Sequence, residues 1–542
     1  MIVQMKQKIL LLTIAVFAMI TLNARKKKSV PEKPPNVIYI LADDMGAGML
    51  SYYGQKFFTT PHIDRLARNG VVFENSYSSA YCAPSRATFL TGYSDCRKGK
   101  FVLTQAGIYT QTATGKLTDG QAQSAVNAAI GVEPDLDYLP QIFKRAGYIT
   151  GEVGKLDYGF ATTEKQLNHH GWDYHYGYYD HVQCHGFYPM FLHENGNRIA
   201  IPGNTHPDAG KSGEWGSDSA DVKARWNMNG KLVYSQDLFL QKMLEFIRKN
   251  KDRPFFLYHP TQLPHGPVAI PAIHPELAFR KELTFIEKAY GSMVKRLDDD
   301  LGVIRQELVR LGIADNTIII FSSDNGHELY TAYKGRVEKP IKNMQTGRRF
   351  DNVTDKFYSK TGGDIFDGNH GMAGLKTSNW NGGVKVPLFV YWPQKFKAGA
   401  ISKKLVTNYD FIATMAELLN VPLKDQKDGI SYLAALKKGR PPGAGQPRSI
   451  AFASFMGPAL VTSDGWKLRY FAPKKIFQLY YLPKDYREQY DLSAQHPEKV
   501  AGLKKLLIEK CDGDLANGLL SGSRFLNPVL RSLPSGVPGK NK

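Results

Sequence analysis

Two short apolar runs, one ending on a pair of aspartates and the other on an Asp-Asn pair, restrict the fold of this chain more than any other feature. Asn36-Val-Ile-Tyr-Ile-Leu41 leads into Ala42-Asp43-Asp44-Met45-Gly46, and Thr317-Ile-Ile-Ile-Phe321 leads into Ser322-Ser323-Asp324-Asn325-Gly326. A short unbroken apolar run rich in β-branched residues reads as a strand buried on both faces, the habit of parallel sheets covered by helices. Phe255–Tyr258 and Val386–Tyr391 are further runs of this kind. Helical segments fall between them, at Tyr138–Ala146 and Gln236–Arg248, and Thr60-Pro61 opens another as cap and first residue. The alternation specifies an α/β sheet with helices on both faces.

The acidic pairs carry a chemical message. Ligands of open α/β sheets bind outside the carboxyl ends of the strands. If both strands lie in one sheet, Asp43, Asp44, Asp324 and the amide oxygen of Asn325 converge there. All-oxygen ligation of this kind suits Ca²⁺ or Mg²⁺ rather than Zn²⁺. Either pair alone also fits an ordinary turn. Their joint occurrence, together with the string around Cys82, favours the metal.

That string is Tyr81-Cys82-Ala83-Pro84-Ser85-Arg86-Ala87-Thr88-Phe89-Leu90-Thr91-Gly92. It sets a thiol at what reads as the first turn of a helix, where a proline is tolerated and free N–H groups favour an anion. A buried structural cysteine is the plainer alternative. Basic groups that could neutralise an anion are Arg86, Lys155, His265 in Pro264-His265-Gly266-Pro267, and Lys376 in Gly374-Leu375-Lys376. Singly these read as surface charges or loop residues, and spacing cannot bring them together. The segment Gly171–Pro189 is dense in aromatics and histidines, among them His181 and His185. It reads either as packing or as a pocket wall, because aromatic faces stack on sugars.

The N-terminus has the form of a secretory signal: Lys6 and Lys8 precede an apolar run from Ile9 to Leu22, with cleavage expected near Ala24. The run is short for a membrane span. The following Arg25-Lys26-Lys27-Lys28 resists translocation, which leaves an uncleaved anchor as the alternative. The expectation is a periplasmic or secreted protein without an integral membrane domain. The expected organisation is a signal at 1–24, a basic leader at 25–35, a catalytic domain at 36–430, a C-terminal α+β subdomain at 431–515 and an irregular tail at 516–542. The subdomain rests on closely spaced strands at Ile450–Ser454, Leu460–Ser463, Trp466–Phe471 and Phe477–Tyr481, with a helix at Pro497–Lys510. The stretch Gly99–Glu133 reads as a surface insertion. The net charge of +20 asks for an anionic partner. For an exported protein, a polyanionic carbohydrate or anionic ester fits better than nucleic acid. Four cysteines (Cys82, Cys96, Cys184, Cys511) are too few for a disulfide framework.

From roughly Pro35 to Asp491 the chain resembles the type I, formylglycine-dependent sulfatases, in look most like secreted bacterial carbohydrate sulfatases. The matching pieces come in order: Asn36–Gly46, Thr60–Gly70, Cys82–Gly92, Gly147–Lys155, Phe255–His265, Ser323–Gly326, Gly374–Pro393 and the late Tyr490-Asp491-Leu492. The resemblance implies an alkaline-phosphatase-like fold, a large mixed sheet sandwiched by helices with a smaller C-terminal antiparallel sheet and helix. It implies hydrolysis of a sulfate ester of a carbohydrate, with galactose or an N-acetylhexosamine as the favoured sugar. It further implies that a formylglycine-generating or anaerobic sulfatase-maturating enzyme oxidises Cys82 to formylglycine, whose hydrate attacks sulfur and then expels sulfate. Asp43, Asp44, Asp324, Asn325 and residue 82 would hold one Ca²⁺. Arg86 and Lys155 would steady the diol, and His265 and Lys376 would contact the sulfate and protonate the leaving oxygen. One position departs from the pattern. Where the family often reads Gly-Lys-Trp-His-Leu-Gly, this chain reads Gly154-Lys155-Leu156-Asp157-Tyr158-Gly159. Asp157 is either a tolerated branch difference or the replacement base, a role also open to a histidine of Tyr174–His185. Asp157, His181 and His185 are thus the candidate substrate-binding residues. A formylglycine-dependent phosphodiesterase or phosphonate hydrolase, and a lapsed glycan-binding protein, are the competing readings.

Overall fold

The computed structural model describes residues 33–104, 106–205, 226–332, 335–338, 341–393, 395–396, 398–437 and 447–520. The expected signal, most of the basic leader and the tail beyond 520 lie outside the described residues. The following concerns the unit that begins at Asn36.

Ten strands form one mixed sheet in the order β10-β2-β9-β8-β1-β7-β3-β4-β5-β6. They are β1 (Asn36–Ala42), β2 (Val71–Tyr77), β3 (Ile149–Lys155), β4 (Tyr174–Tyr178), β5 (Phe191–Glu194), β6 (Asn197–Ala200), β7 (Phe255–Pro260), β8 (Thr317–Ser323), β9 (Leu388–Tyr391) and β10 (Ala400–Thr407). The central strands β8, β1, β7, β3 and β4 run parallel to one another. β9 runs antiparallel between β2 and β8. Every residue of β1, β7 and β8 is buried, as their unbroken apolar sequences require. Helices cover both faces. On one, Ile63 and Leu66 of the Pro61–Asn69 helix and Met293, Leu297 and Ile304 of the Phe285–Arg310 helix pack against Ile38, Ile40 and Ile319. On the other, Phe89 of the Cys82–Thr91 helix lies 4.5 Å from Tyr39 and stacks on Phe411 at 5.4 Å.

The C-terminal strands β11 (Ser449–Phe452), β12 (Ala459–Thr462), β13 (Trp466–Phe471) and β14 (Ile476–Tyr481) make a four-stranded antiparallel sheet in that order. The Pro497–Lys510 helix buries Leu503 and Leu507 in the same apolar cluster as Leu460 and Leu468 of this sheet and Val37 and Tyr39 of the large one.

One local expectation changes. The Gly99–Glu133 stretch is a packed part of the fold. It contains helices Ile108–Ala113 and Asp119–Ile130, the second opened by a Thr118–Gln121 capping box, and it buries Tyr109 and Val126. The aromatic segment after Gly171 takes the packing reading at its tyrosines: Tyr176 and Tyr178 are buried because β4 is an interior strand with a neighbour on each side, and Tyr179, just past it, is buried too. All four cysteines are buried, and none is in a disulfide.

Candidate active site

The parallel pairing of β1 with β8 sets Ala42 beside Ser323, so the two acidic pairs leave the sheet side by side. The chain crosses between them: Asp324 N–H donates to Ala42 O at 3.0 Å, and Asp44 N–H to Asp324 Oδ1 at 3.0 Å. Asp44 is in the left-handed region at φ 59°, which a short polar side chain tolerates. Asn325 Nδ2 donates to Asp44 Oδ1 at 2.8 Å. Asp43, Asp44, Asp324 and Asn325 are wholly buried.

Neighbouring strand ends deliver the cations. Lys155 closes β3, and its ammonium reaches Asp43 Oδ2 at 2.5 Å. Its approach depends on glycine. A Cβ on Gly154 would stand 2.2 Å from Pro260 O, and one on Gly177 1.9 Å from Gly154 O. Arg86 stands one helical turn after Cys82 on the same helix face. Its guanidinium lies 3.0 Å from Asp324 Oδ2 and 3.6 Å from Asp43 Oδ2. Lys376 Nζ donates to Asp44 Oδ2 at 2.7 Å and lies 3.2 Å from His265 Nε2. His265 follows β7, stands 3.3 Å from Asp44 Oδ2, and bonds the Gly266 carbonyl through Nδ1. That carbonyl only accepts, so Nδ1 carries the proton and Nε2 faces Lys376. Thr377, next in the chain, is held at φ 75°, an outlier for a β-branched residue that costs on the order of 1–3 kcal/mol.

The electrostatics follow from this packing. Burial pushes the carboxylates up, but Lys155 and Arg86 hold Asp43 at about 2. Burial and the Asp43 charge raise Asp324 to about 7. Burial also raises the Cys82 thiol, against the pull of Lys376 and Lys155. Cys82 is the first residue of its helix and is buried. The oxygens suit a hard cation on two counts. Asp43, Asp44, Asp324 and Asn325 offer an all-oxygen donor set, and Asp43 Oδ1 and Asn325 Oδ1 are buried without a hydrogen-bond partner.

The remaining candidates separate. His185 stacks on His265 with ring centroids 4.5 Å apart. His181 is buried, both ring nitrogens lack a hydrogen-bond partner, and burial together with Lys155, Arg86, His185 and Lys376 depresses its basicity strongly. Asp157 belongs to a different network. Its Oδ1 meets His170 Nδ1 at 3.0 Å, its Oδ2 accepts from Thr162 at 3.1 Å, and its N–H donates to Glu152. His170 Nε2 in turn meets Glu133 Oε1 at 3.0 Å. Sequence reasoning missed Tyr330, whose hydroxyl donates to Asp44 Oδ2, and the Ser323 hydroxyl that accepts from Met45 N–H at 3.0 Å. Tyr330 has no motif of its own. Ser323 could have been read from its place beside Asp324.

Residues 35–421 match the sulfatase family model. The chain belongs to the sulfatase family. Human N-acetylgalactosamine-6-sulfatase is 30% identical over 414 residues, covering 75% of this chain and 67% of that protein. The N-acetylgalactosamine-6-O-sulfatase of Bacteroides thetaiotaomicron is 29% identical over 540 residues, covering 90% and 94%. A structure solved in a study of glycosaminoglycan metabolism by Bacteroides thetaiotaomicron superposes with a TM-score of 0.65 at 25% identity, covering 89% of this chain and all of that one. As a sulfatase the protein is an enzyme, a sulfuric ester hydrolase. Among the described residues, no helix is long and apolar enough to cross a membrane.

Proposed function

We propose that this sulfatase removes sulfate from a sulfated sugar outside the cytoplasm, with N-acetylgalactosamine 6-sulfate the first substrate to test. The observation that carries the reading is the convergence of Asp43, Asp44, Asp324, Asn325, Lys155, Arg86, His265 and Lys376 at one edge of the sheet. The names of the human and Bacteroides relatives support the sugar.

Asp43, Asp44, Asp324 and Asn325 would hold a divalent cation, Ca²⁺ being the family habit, which supplies positive charge opposite the sulfuryl oxygens when bound. Cys82 converted to formylglycine supplies, as its hydrate, the nucleophilic oxygen. The chain's own groups do the rest. Arg86 and Lys155 are held by carboxylates on the Cys82 side and orient residue 82. Lys376 and His265 stand 3.2 Å apart and would contact the sulfate together, the Lys376 ammonium giving its proton to the leaving oxygen. His181 is the remaining candidate to accept a proton from residue 82: both its ring nitrogens lack a hydrogen-bond partner, whereas the Asp157 carboxylate is already taken by His170 and Thr162.

The test is free sulfate release from defined mono- and disaccharides that differ only in sulfate position. Matured wild type, Cys82→Ala and an aryl phosphodiester control complete the set. Release from a sugar sulfate by wild type alone supports the proposal. Equal release by Cys82→Ala, or faster cleavage of the phosphodiester, overturns it.

A further inference from the structure

Tyr81, immediately before Cys82, is the hub of an aromatic corner. The Lys376 ammonium lies 4.9 Å from its ring centroid. Phe455 meets the same ring edge-on at 5.2 Å and 75°, and Phe160 lies 6.0 Å away, tilted by 50°. Phe160 stands perpendicular to His181 at 5.5 Å. The three rings come from remote parts of the chain: the cap of the Cys82 helix, the turn after β3, and the β11–β12 connection. Phe455 N–H donates to Thr377 O at 3.1 Å, and Thr377 N–H donates to Ala80 O at 2.7 Å. Phe455 is therefore tied to the residue after Lys376, and that residue is tied to the approach to Cys82. Phe455 is 41% exposed, and Tyr81 and Phe160 are half-buried.

A single exposed phenylalanine is ordinary. This one is pinned to the strained Thr377 turn beside the charged cluster. A charged centre grips the sulfate end of an ester but offers nothing to the weakly polar C–H face of a sugar ring. Aromatic carbon does, through burial and dispersion.

We infer that Tyr81, Phe160 and Phe455 form the platform on which the sugar ring bearing the sulfate ester packs. The inference rests on the function proposed above and names the ring contact of that same site. The ester-bearing ring, rather than a more distant sugar, is the occupant because the platform starts one residue from position 82, a Cα step of about 3.8 Å. The small C-terminal sheet thereby contributes to substrate choice through Phe455, while the charged centre belongs to the large sheet.

The experiment uses matured wild type, Phe455→Ala, Phe455→Tyr and Phe160→Ala with N-acetylgalactosamine 6-sulfate. Phe455→Ala should raise KM roughly 10-fold with little change in kcat, the scale of one lost apolar contact. Phe455→Tyr should restore KM, and Phe160→Ala should act in the same direction as Phe455→Ala. Inhibition by inorganic sulfate, which has no ring, should stay within about twofold of wild type in every variant. Calorimetric binding of the same sugar sulfate to Cys82→Ala, with and without Phe455→Ala, reads the contact without turnover and should show the same loss. Unchanged KM and Kd in Phe455→Ala, equal weakening of inorganic sulfate, or no binding by Cys82→Ala overturns the platform. Binding that depends on Phe455 in a protein that releases no sulfate would instead overturn the proposed reaction and leave the platform standing.

Discussion

Replacing Asp157 with Asn separates a catalytic from an architectural role at the position where the chain departs from the family pattern. Burial alone would lower the His170 imidazole, yet the Asp157 and Glu133 carboxylates on its two nitrogens lift it from 6.5 to about 10. At 1.36 kcal/mol per pH unit, that lift is roughly 5 kcal/mol in favour of the imidazolium. Asp157 contributes the larger favourable share, so Asp157→Asn should cost about 2–3 kcal/mol of stability near pH 6. A raised histidine stabilises fully below its unfolded value of 6.5 and loses that stabilisation as pH climbs through about 10. Wild type and variant should therefore converge as pH approaches about 10. Urea unfolding of both proteins at about pH 6, 8 and 9.5 measures the gap, and sulfate release per folded molecule is read beside it. A gap that does not change with pH, or one below about 0.5 kcal/mol, would refute the network argument. A kcat loss on the order of 100-fold in a protein of unchanged stability would make Asp157 the base after all.

Three further outcomes follow. His181→Gln should lower kcat on the order of 100-fold while leaving Kd for the sugar sulfate within a few fold, measured by initial rates and calorimetry; a kcat within threefold of wild type rejects the assignment. Calcium added to chelator-treated protein should raise Tm progressively with the logarithm of free calcium, and Asp324→Ala should abolish that dependence; a Tm indifferent to calcium argues against the cation site. Gly177→Ala puts a methyl carbon 1.9 Å from Gly154 O, so β3 must shift. It should lower stability by about 2–4 kcal/mol and reduce turnover together, and a variant of wild-type stability and activity would show that the close approach is dispensable.

Much of the sheet was legible because β1, β7 and β8 are buried on both faces and so could be written only in unbroken apolar runs. The acidic pairs were legible as strand ends, but their adjacency was not: nothing local sets Ala42 against Ser323. His265 and Lys376 meet on one oxygen of Asp44, a convergence that tertiary packing creates. Asp157 was visible as a departure, while its partner His170, thirteen residues later, was not, because a helix start intervenes at Glu164. The tyrosines after Gly171 left two readings open, packing or pocket wall. Aromatic density marks a core strand as readily as a pocket wall, and Tyr178 and Tyr179 are core. Phe455, by contrast, carries no sequence signal and depends entirely on where the β11–β12 connection lands.

The pairing of β1 with β8 also bears on how the enzyme comes into being. Asp44 and Asp324 meet across 280 residues of chain, so their contact forms only once both strands have been made. A nascent or truncated chain can present the Cys82 segment long before Asp324 and Lys376 exist. Such a fragment has the thiol and lacks the groups that make its chemistry possible. Hydrolytic competence is thereby tied to completion of the large sheet, and incomplete molecules are inert by construction.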